Sequence, residues 1–145
     1  MWGINISEKL KRNVGLFVDR LKDIYRQELV SVILYGSAVS SEFVDKHSNL
    51  NFLVILKDTS LPILKKASGA VRKFPLLEPL FLTEDYINRS TDIFPIEFLD
   101  MRENYAVIYG KDVLRDIRVD IINLRFQCEH ELKAKLIALR QFYLR

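Results

Sequence analysis

The sequence predicts an α/β (α+β) fold, in which a mixed sheet of about four strands is flanked by helices and a long helix follows at the C-terminal end. Residues 30–35 and 50–56 are short apolar runs rich in Val, Ile, Leu and Phe, which is typical of buried strands. Residues 7–27, and the segment after Asp120, repeat apolar residues at steps of three and four, which is typical of amphipathic helices. Together these patterns predict the fold class.

The segment between the second apolar strand and the last helix contains the remaining predicted elements. Residues 60–74 carry an apolar stripe at helical spacing and are predicted to be helical. Residues 76–82 are predicted to form a third strand, and Pro79 places it at an edge or a bulge because proline donates no ladder hydrogen bond. A short helix is predicted to begin after Thr83, and residues 93–99 are the candidate fourth strand.

The predicted C-terminal helix carries an apolar stripe, which consists of Ile121, Leu124, Cys128, Leu132, Leu136, Leu139 and Tyr143. Cys128 is interpreted as core packing, because a cysteine nucleophile would need a neighbouring base. His130 falls off the stripe and is predicted to be exposed. The helical pattern runs to the last residue, which either a further domain or a partner chain packed against the helix would explain.

Length and composition limit the class of protein. A chain of 145 residues suits one domain, which we divide into an N-terminal helix (1–28), a sheet core (29–116) and a C-terminal helix (117–145). One cysteine excludes an internal disulfide framework and fits a reducing cytosol, so a cytoplasmic protein is expected. No apolar run approaches the roughly 20 residues of a membrane span, and the first residues are too weakly basic for a signal peptide.

The charge of the chain permits contact with nucleotide or nucleic acid without demanding it, since the net charge is +3. The basic residues of the 60–74 helix are Lys65, Lys66, Arg72 and Lys73. They are interpreted as a solvated helix face, because no aromatic side chains alternate with them to stack on bases. We therefore expect no nucleic-acid partner.

Gly36 and Ser37 stand where the first predicted strand ends. Glycine has no Cβ and lets another group approach the backbone closely, and serine adds a hydroxyl donor. A turn of this kind, between a strand and a helix, presents backbone N–H groups that suit a phosphate. We therefore expect a phosphate or nucleotide site at these two residues.

About a dozen residues after this turn, the polar–apolar–polar triplet Asn49-Leu50-Asn51 opens the second apolar strand. The combination resembles the nucleotidyltransferase superfamily, which includes DNA polymerase β, kanamycin nucleotidyltransferase and the minimal nucleotidyltransferase antitoxins. The resemblance covers roughly residues 29–110. It implies a Gly-Ser turn that holds nucleotide phosphates, an acid–hydrophobic–acid triplet that binds two divalent cations, and a third acid on a later strand.

The sequence departs from the family pattern at both acid positions, which are occupied by Asn49 and Asn51. The two side chains share one face of the strand, as the acid pair does. Mg²⁺ prefers anionic oxygen, and an amide oxygen is neutral. Losing both acids should cost on the order of a thousandfold in rate. We therefore expect a nucleotidyltransferase fold with a degenerate metal site, and we assign no metal ligand.

Glu97 is the candidate for the third acid of the family pattern. It lies in a predicted apolar strand, where a charge is costly unless a metal or a salt bridge compensates it. Glu78 and Asp100 are rival candidates for the same position.

Two functions remain open from the sequence. The first is a binding or regulatory module that binds ATP or GTP, another protein or a second copy of itself. The alternative is an active transferase that uses Mg²⁺ and an NTP to move a nucleoside monophosphate onto a small molecule, a protein or RNA. That enzyme would need Glu97 with Glu42, Asp45 or Asp100 to rebuild the metal site. Otherwise Glu42, Asp45 and His47 are interpreted as solvated loop residues.

Overall fold

The computed structural model describes residues 6–40 and 49–145, and a four-stranded mixed sheet lies at its centre. The strands are β1 (Leu29–Tyr35), β2 (Leu50–Leu56), β3 (Leu77–Leu82) and β4 (Tyr105–Gly110). Their order across the sheet is β3-β2-β1-β4. Strand β1 runs antiparallel to β2 and β4, whereas β3 runs parallel to β2. The predicted mixed sheet is confirmed.

Helices flank both faces of this sheet, as predicted. They are α1 (Glu8–Tyr25), α2 (Leu61–Lys65), α3 (Ser68–Lys73), α4 (Glu84–Ser90), α5 (Pro95–Glu103) and α6 (Ile121–Tyr143). Residues 60–74 thus form two short helices rather than one. A hydrophobic core lies on each face of the sheet. The side chains of β2 enter the two cores alternately, because successive side chains of a strand point to opposite faces.

On one face, the apolar stripe of α1 packs against the sheet together with α3. Val14, Phe17 and Leu21 of α1 are fully buried, and the Phe17 ring lies 5.7 Å from the Phe52 ring of β2, measured between centroids. On the other face, Leu53 and Ile55 of β2 join a second cluster with α4, α5 and the chain after β4. The helical members of that cluster are Ile87, Phe98 and Met101.

The prediction of a fourth strand at residues 93–99 is wrong, because this segment forms most of α5. Proline with its fixed φ is favoured in the first turn of a helix, and Pro95 occupies that position. Pro95, Phe98 and Met101 recur at steps of three and are the buried residues of α5. The seven-residue apolar run suits either a strand or a helix, whereas the three-residue spacing of the buried residues indicates the helix.

The fourth strand is instead β4, in a segment for which we predicted no strand. Gly110 has φ +80°, and a Cβ built on it would lie 2.1 Å from the carbonyl oxygen of Val30. Glycine is therefore required where β4 ends against β1.

Two other strand and helix predictions are confirmed. Strand β3 lies at the edge of the sheet, as Pro79 indicated. The hydroxyl of Thr83 accepts a hydrogen bond from the backbone N–H of Tyr86 at 3.1 Å and so caps α4.

The long C-terminal helix is confirmed, but its apolar stripe does not pack on the sheet. Helix α6 buries no residue, and Leu132, Leu139 and Tyr143 remain 69%, 65% and 88% exposed. The interpretation of Cys128 as a core residue is therefore wrong, since its side chain is exposed. The sequence showed which residues share a face of the helix but not which side turns toward the protein. His130 is exposed, as predicted.

Across residues 6–40 and 49–145, no helix combines the length and apolar character needed to cross a membrane.

Candidate functional site

The predicted phosphate turn and the asparagine pair meet at one edge of the sheet. Because β2 and β4 are antiparallel to β1 and β3 is parallel to β2, this edge holds the end of β1 and the beginnings of the other three strands. The ladder pairs Tyr35 with Asn51, Asn51 with Glu78, and Tyr35 with Tyr105. We call these four residues, Glu78, Asn51, Tyr35 and Tyr105, the edge row.

The turn that follows β1 is a short 3₁₀ helix over Gly36–Ala38. Gly36 has φ +81°, a conformation that suits glycine, and its N–H donates to the carbonyl of Asn104 at 2.9 Å. This bond ties the turn to the chain just before β4, so the Gly36 N–H serves the fold. Ser37 is exposed and next to the edge row. Its hydroxyl is therefore within reach of a ligand at this edge.

Asn51 approaches the turn closely. A Cβ on Gly36 would lie 3.5 Å from the Asn51 side-chain nitrogen, which is ordinary van der Waals contact. The amide is therefore adjacent to the backbone that a nucleotide phosphate would approach in a family-like site. The structure therefore places the Gly36 turn next to the second asparagine.

Glu78 is the acid that the fold brings to the asparagine pair. The Asn49 side-chain nitrogen donates to the Glu78 carboxylate at 2.5 Å, and Glu78 lies beside Asn51 in the β2–β3 ladder. Both Asn49 and Glu78 are exposed, so this hydrogen bond lies at the surface. Glu78 therefore lies on the strand next to the asparagine triplet.

Glu97 does not lie in a strand, so the reason for choosing it as the third acid was wrong. It belongs to the first turn of α5, and its carboxylate accepts a hydrogen bond from the Gln127 side chain of α6 at 2.8 Å. The two residues line a groove of about 320 Å³ between the two helices. An amide donor compensates the Glu97 charge, rather than the salt bridge that was the alternative.

Tyr35 links the edge row to the third candidate acid, Asp100 of α5. Burial raises the pKa of the Tyr35 phenol, and the negative charges of Glu78 and Asp100 raise this pKa further. Burial and the two carboxylate charges therefore all favour the neutral phenol. The fold brings Glu78 and Asp100 close enough for both charges to act on the same tyrosine, which the sequence could not show.

Tyr105 closes the edge row at the β4 side. Its hydroxyl donates to the Asp112 carboxylate at 3.0 Å. Burial raises the pKa of Tyr105, and the hydrogen bond and charge of Asp112 raise it further. The sequence analysis missed both tyrosines, because their positions follow from the pairing of strands, which a single sequence does not specify.

The donor set at this edge fits a pair of metal ions poorly. It offers two neutral amides and one carboxylate that already accepts a hydrogen bond from one of them. Within the described parts of the chain, no three Asp, Glu, His or Cys side chains lie close enough together to hold a metal ion. Glu42, Asp45 and His47, which the alternative function invoked or set aside, lie outside the described residues.

Solved structures share this fold. The chain is similar to spectinomycin adenyltransferase AAD(9) from Enterococcus faecialis, solved with ATP and spectinomycin, with a TM-score of 0.62. The two are 12% identical, and the likeness covers 79% of this chain and 62% of that one. This chain therefore spans less than two thirds of the length of that relative.

Two toxin–antitoxin structures are also similar. The complex of tri-AMPylated Shewanella oneidensis HEPN toxin with MNT antitoxin gives a TM-score of 0.46 at 12% identity, over 93% of this chain and 98% of that one. A toxin–antitoxin structure with AMP-PNP gives 0.47 at 13% identity, over the same shares of each chain. No protein-family model and no curated protein matches the sequence. The chain has a nucleotidyltransferase-like fold.

Proposed function

We propose that this chain is a catalytically degenerate member of the nucleotidyltransferase fold that binds a nucleotide through its phosphates and acts as a regulatory module. The observation that carries the proposal is the hydrogen bond from the Asn49 amide to Glu78. In the family pattern, acids at the positions of Asn49 and Asn51 would surround a metal together with the third acid. Here an amide donor occupies the place from which a cation would compensate the Glu78 charge.

The turn at Gly36 and Ser37 supports phosphate binding. The exposed Ser37 hydroxyl can donate to a phosphate oxygen, and Gly36 keeps the approach to the backbone free of a Cβ. Asn51 next to the turn adds an amide donor. Hydrogen bonds from neutral donors to the ionised phosphate are charge-assisted and can hold it without a metal ion. The ligand class is therefore a nucleoside triphosphate such as ATP or GTP, bound independently of Mg²⁺.

The experiment that tests this proposal is a titration of ATP and GTP into isotope-labelled protein in EDTA, followed by the backbone amide resonances. We expect the largest shifts at Gly36, Ser37 and Asn51. Ser37→Ala should weaken binding at least about tenfold, because a hydrogen bond to a charged group contributes roughly 1.5–3 kcal/mol net of the bonds exchanged with water. Ser60→Ala removes the same hydroxyl beyond the opposite end of β2 and should leave binding unchanged.

The active transferase is the second candidate, and it makes a different prediction. The chain would then transfer labelled nucleoside monophosphate from an NTP in the presence of Mg²⁺. Glu78 and Asp100, whose charges both raise the Tyr35 pKa, are the described carboxylates that would serve such chemistry. Transfer that disappears in Glu78→Gln would replace the binding module with the enzyme.

A further inference from the structure

Helix α6 is attached to the protein by its polar side. The Gln127 side-chain oxygen accepts a hydrogen bond from the Ile96 backbone N–H at 2.9 Å, and its nitrogen donates to the Glu97 carboxylate. Ile96 and Glu97 lie in the first turn of α5, where backbone N–H groups have no partner within the helix. Gln127 therefore caps α5 from outside and fixes which side of α6 faces the protein.

A stripe of apolar residues lies about 120° around α6 from Gln127, since each residue turns the helix by about 100°. Leu124, at the edge of the stripe nearest Gln127, is half-buried, whereas Ile122, Phe126 and Ile137 are exposed apolar residues outside the stripe. We call the residues Ile121, Leu124, Cys128, Leu132, Leu136, Leu139 and Tyr143 the α6 stripe. Leu132 and Leu139 lie one above the other, seven residues apart, because 3.6 residues make one turn. Helix α6 has 23 residues and is about 35 Å long, and none of them is buried. An exposed apolar surface of this extent is typical of an interaction site.

We propose that the α6 stripe packs against the α6 stripe of a second copy of this chain, in an antiparallel pair centred near Leu132. This interaction goes beyond the proposed function and does not require a nucleotide. A two-fold symmetric interface needs a surface that is complementary to itself. The charges on α6 supply this complementarity.

The two halves of α6 differ in charge. Residues 120–131 contain three acidic residues and one Arg, whereas residues 132–145 contain four basic residues and no acid. In an antiparallel pair, the basic half of each helix lies along the acid-containing half of the other. In a parallel pair, the two basic halves would lie side by side and repel each other.

The charges that flank the α6 stripe favour the same arrangement. On a helical wheel, Glu129 and Lys133 lie on one flank of the stripe, and Glu131 and Lys135 lie on the other. Two-fold antiparallel pairing brings each flank against the same flank of the second copy. Glu129 then opposes Lys133, and Glu131 opposes Lys135. Parallel pairing would place Glu129 beside Glu131.

The first test is the mass of the chain in solution, measured by sedimentation equilibrium without nucleotide. We expect a species of twice the 17.0 kDa chain mass. Leu132→Glu with Leu139→Glu should raise the dimer dissociation constant at least a hundredfold, since each substitution puts a charge in place of a leucine that the dimer interface would bury. Ala134→Glu with Gln141→Glu is the matched control, because these residues have the same spacing and charge change on the other side of α6.

All four substitutions should leave the fold intact, because α6 buries no residue and Glu favours a helix. Circular dichroism checks this directly. A monomer at every concentration would overturn the proposal, even if another protein then covered the stripe. A dimer that survives the substitutions at Leu132 and Leu139 would also overturn it.

The second test fixes the direction of the helices by oxidative cross-linking in a Cys128→Ser background. Leu132→Cys lies near the two-fold axis and should form a disulfide-linked dimer. Leu139→Cys faces the region of Arg125 in the second copy and should not cross-link. Cross-linking at both positions would show a parallel pair and would contradict the antiparallel arrangement.

Discussion

The double substitution Asn49→Asp with Asn51→Asp introduces the acid pair of the nucleotidyltransferase pattern beside Glu78. Asn49 now donates to Glu78, and Asn51 is the ladder neighbour of Glu78. After the change, three carboxylates lie together at the edge of the sheet where one is present in the native chain. The substitution should therefore destabilise the protein in the absence of metal. It should also create a site at which Mg²⁺ binds and stabilises the folded state.

The size of both effects can be estimated from the geometry. Neighbouring strands lie roughly 5 Å apart, and two like charges at about that distance in a solvated site repel by about 1 kcal/mol. Two new charges facing Glu78 should thus cost about 2 kcal/mol in EDTA. A metal present at about a hundred times its dissociation constant stabilises the folded state by about 2.7 kcal/mol. For a chain of this size, that corresponds to about 10 °C in melting temperature.

Thermal unfolding with Mg²⁺ and with EDTA measures these shifts. The unchanged chain should melt within about 1 °C under the two conditions, since amides are weak ligands for Mg²⁺. A control variant, Asn13→Asp with Asn88→Asp, adds the same charge away from the edge row and should also show no response to Mg²⁺.

Two results would refute this reasoning. One is a melting temperature of the Asn49→Asp, Asn51→Asp variant that does not depend on Mg²⁺, which would mean that the edge lacks the geometry of a metal site. The other is a response to Mg²⁺ of similar size in the unchanged chain, which would mean that the asparagines already belong to a working metal site.

Two further predictions concern the strands around the site. Gly110→Ala should destabilise the fold by more than about 2 kcal/mol in denaturant unfolding, because a left-handed residue with a Cβ costs about 1–2 kcal/mol and this Cβ also meets the Val30 backbone. Gly69→Ala in α3 meets nothing within 4 Å and should be neutral or stabilising. The raised pKa of Tyr35 makes the stability of the folded state depend on pH. The contribution of Tyr35 is fully present below pH 10.0, the pKa expected in the unfolded chain, and is lost as the pH rises through the higher pKa of the folded chain. Glu78→Gln should lower the Tyr35 pKa, measured by NMR titration of the ring, and an unchanged pKa would contradict their proximity.

The sequence predicted those parts of the fold that depend on local patterns. The apolar runs of β1 and β2, the edge position of β3 and the amphipathic character of α1 follow from residue type and spacing, and all are present. The segment 93–99 was misassigned because its seven apolar-rich residues suit a strand or a helix equally well. Pro95 in the first turn and the three-residue spacing of the buried residues, which pack Phe98 and Met101 into the second core, distinguish the helix from a strand.

The candidate site combines residues that the sequence indicated with residues that only the fold brings to them. The Gly36–Ser37 turn and the asparagine pair were identified by type and spacing, and the fold places them together. The edge row could not be predicted, because the register between strands depends on long-range pairing. For the same reason, Glu78 could not be preferred over Glu97 from the sequence.

The most direct test of the central proposal, a phosphate-binding edge without catalytic metals, is calorimetric titration of ATP and GTP into the unchanged chain, first with Mg²⁺ and then with EDTA. We predict binding of equal affinity in the two conditions, because in the proposed site Ser37 and Asn51 would contact the phosphates as neutral donors. Binding that occurs only with Mg²⁺ would contradict this account and would mean that a metal site exists despite Asn49 and Asn51.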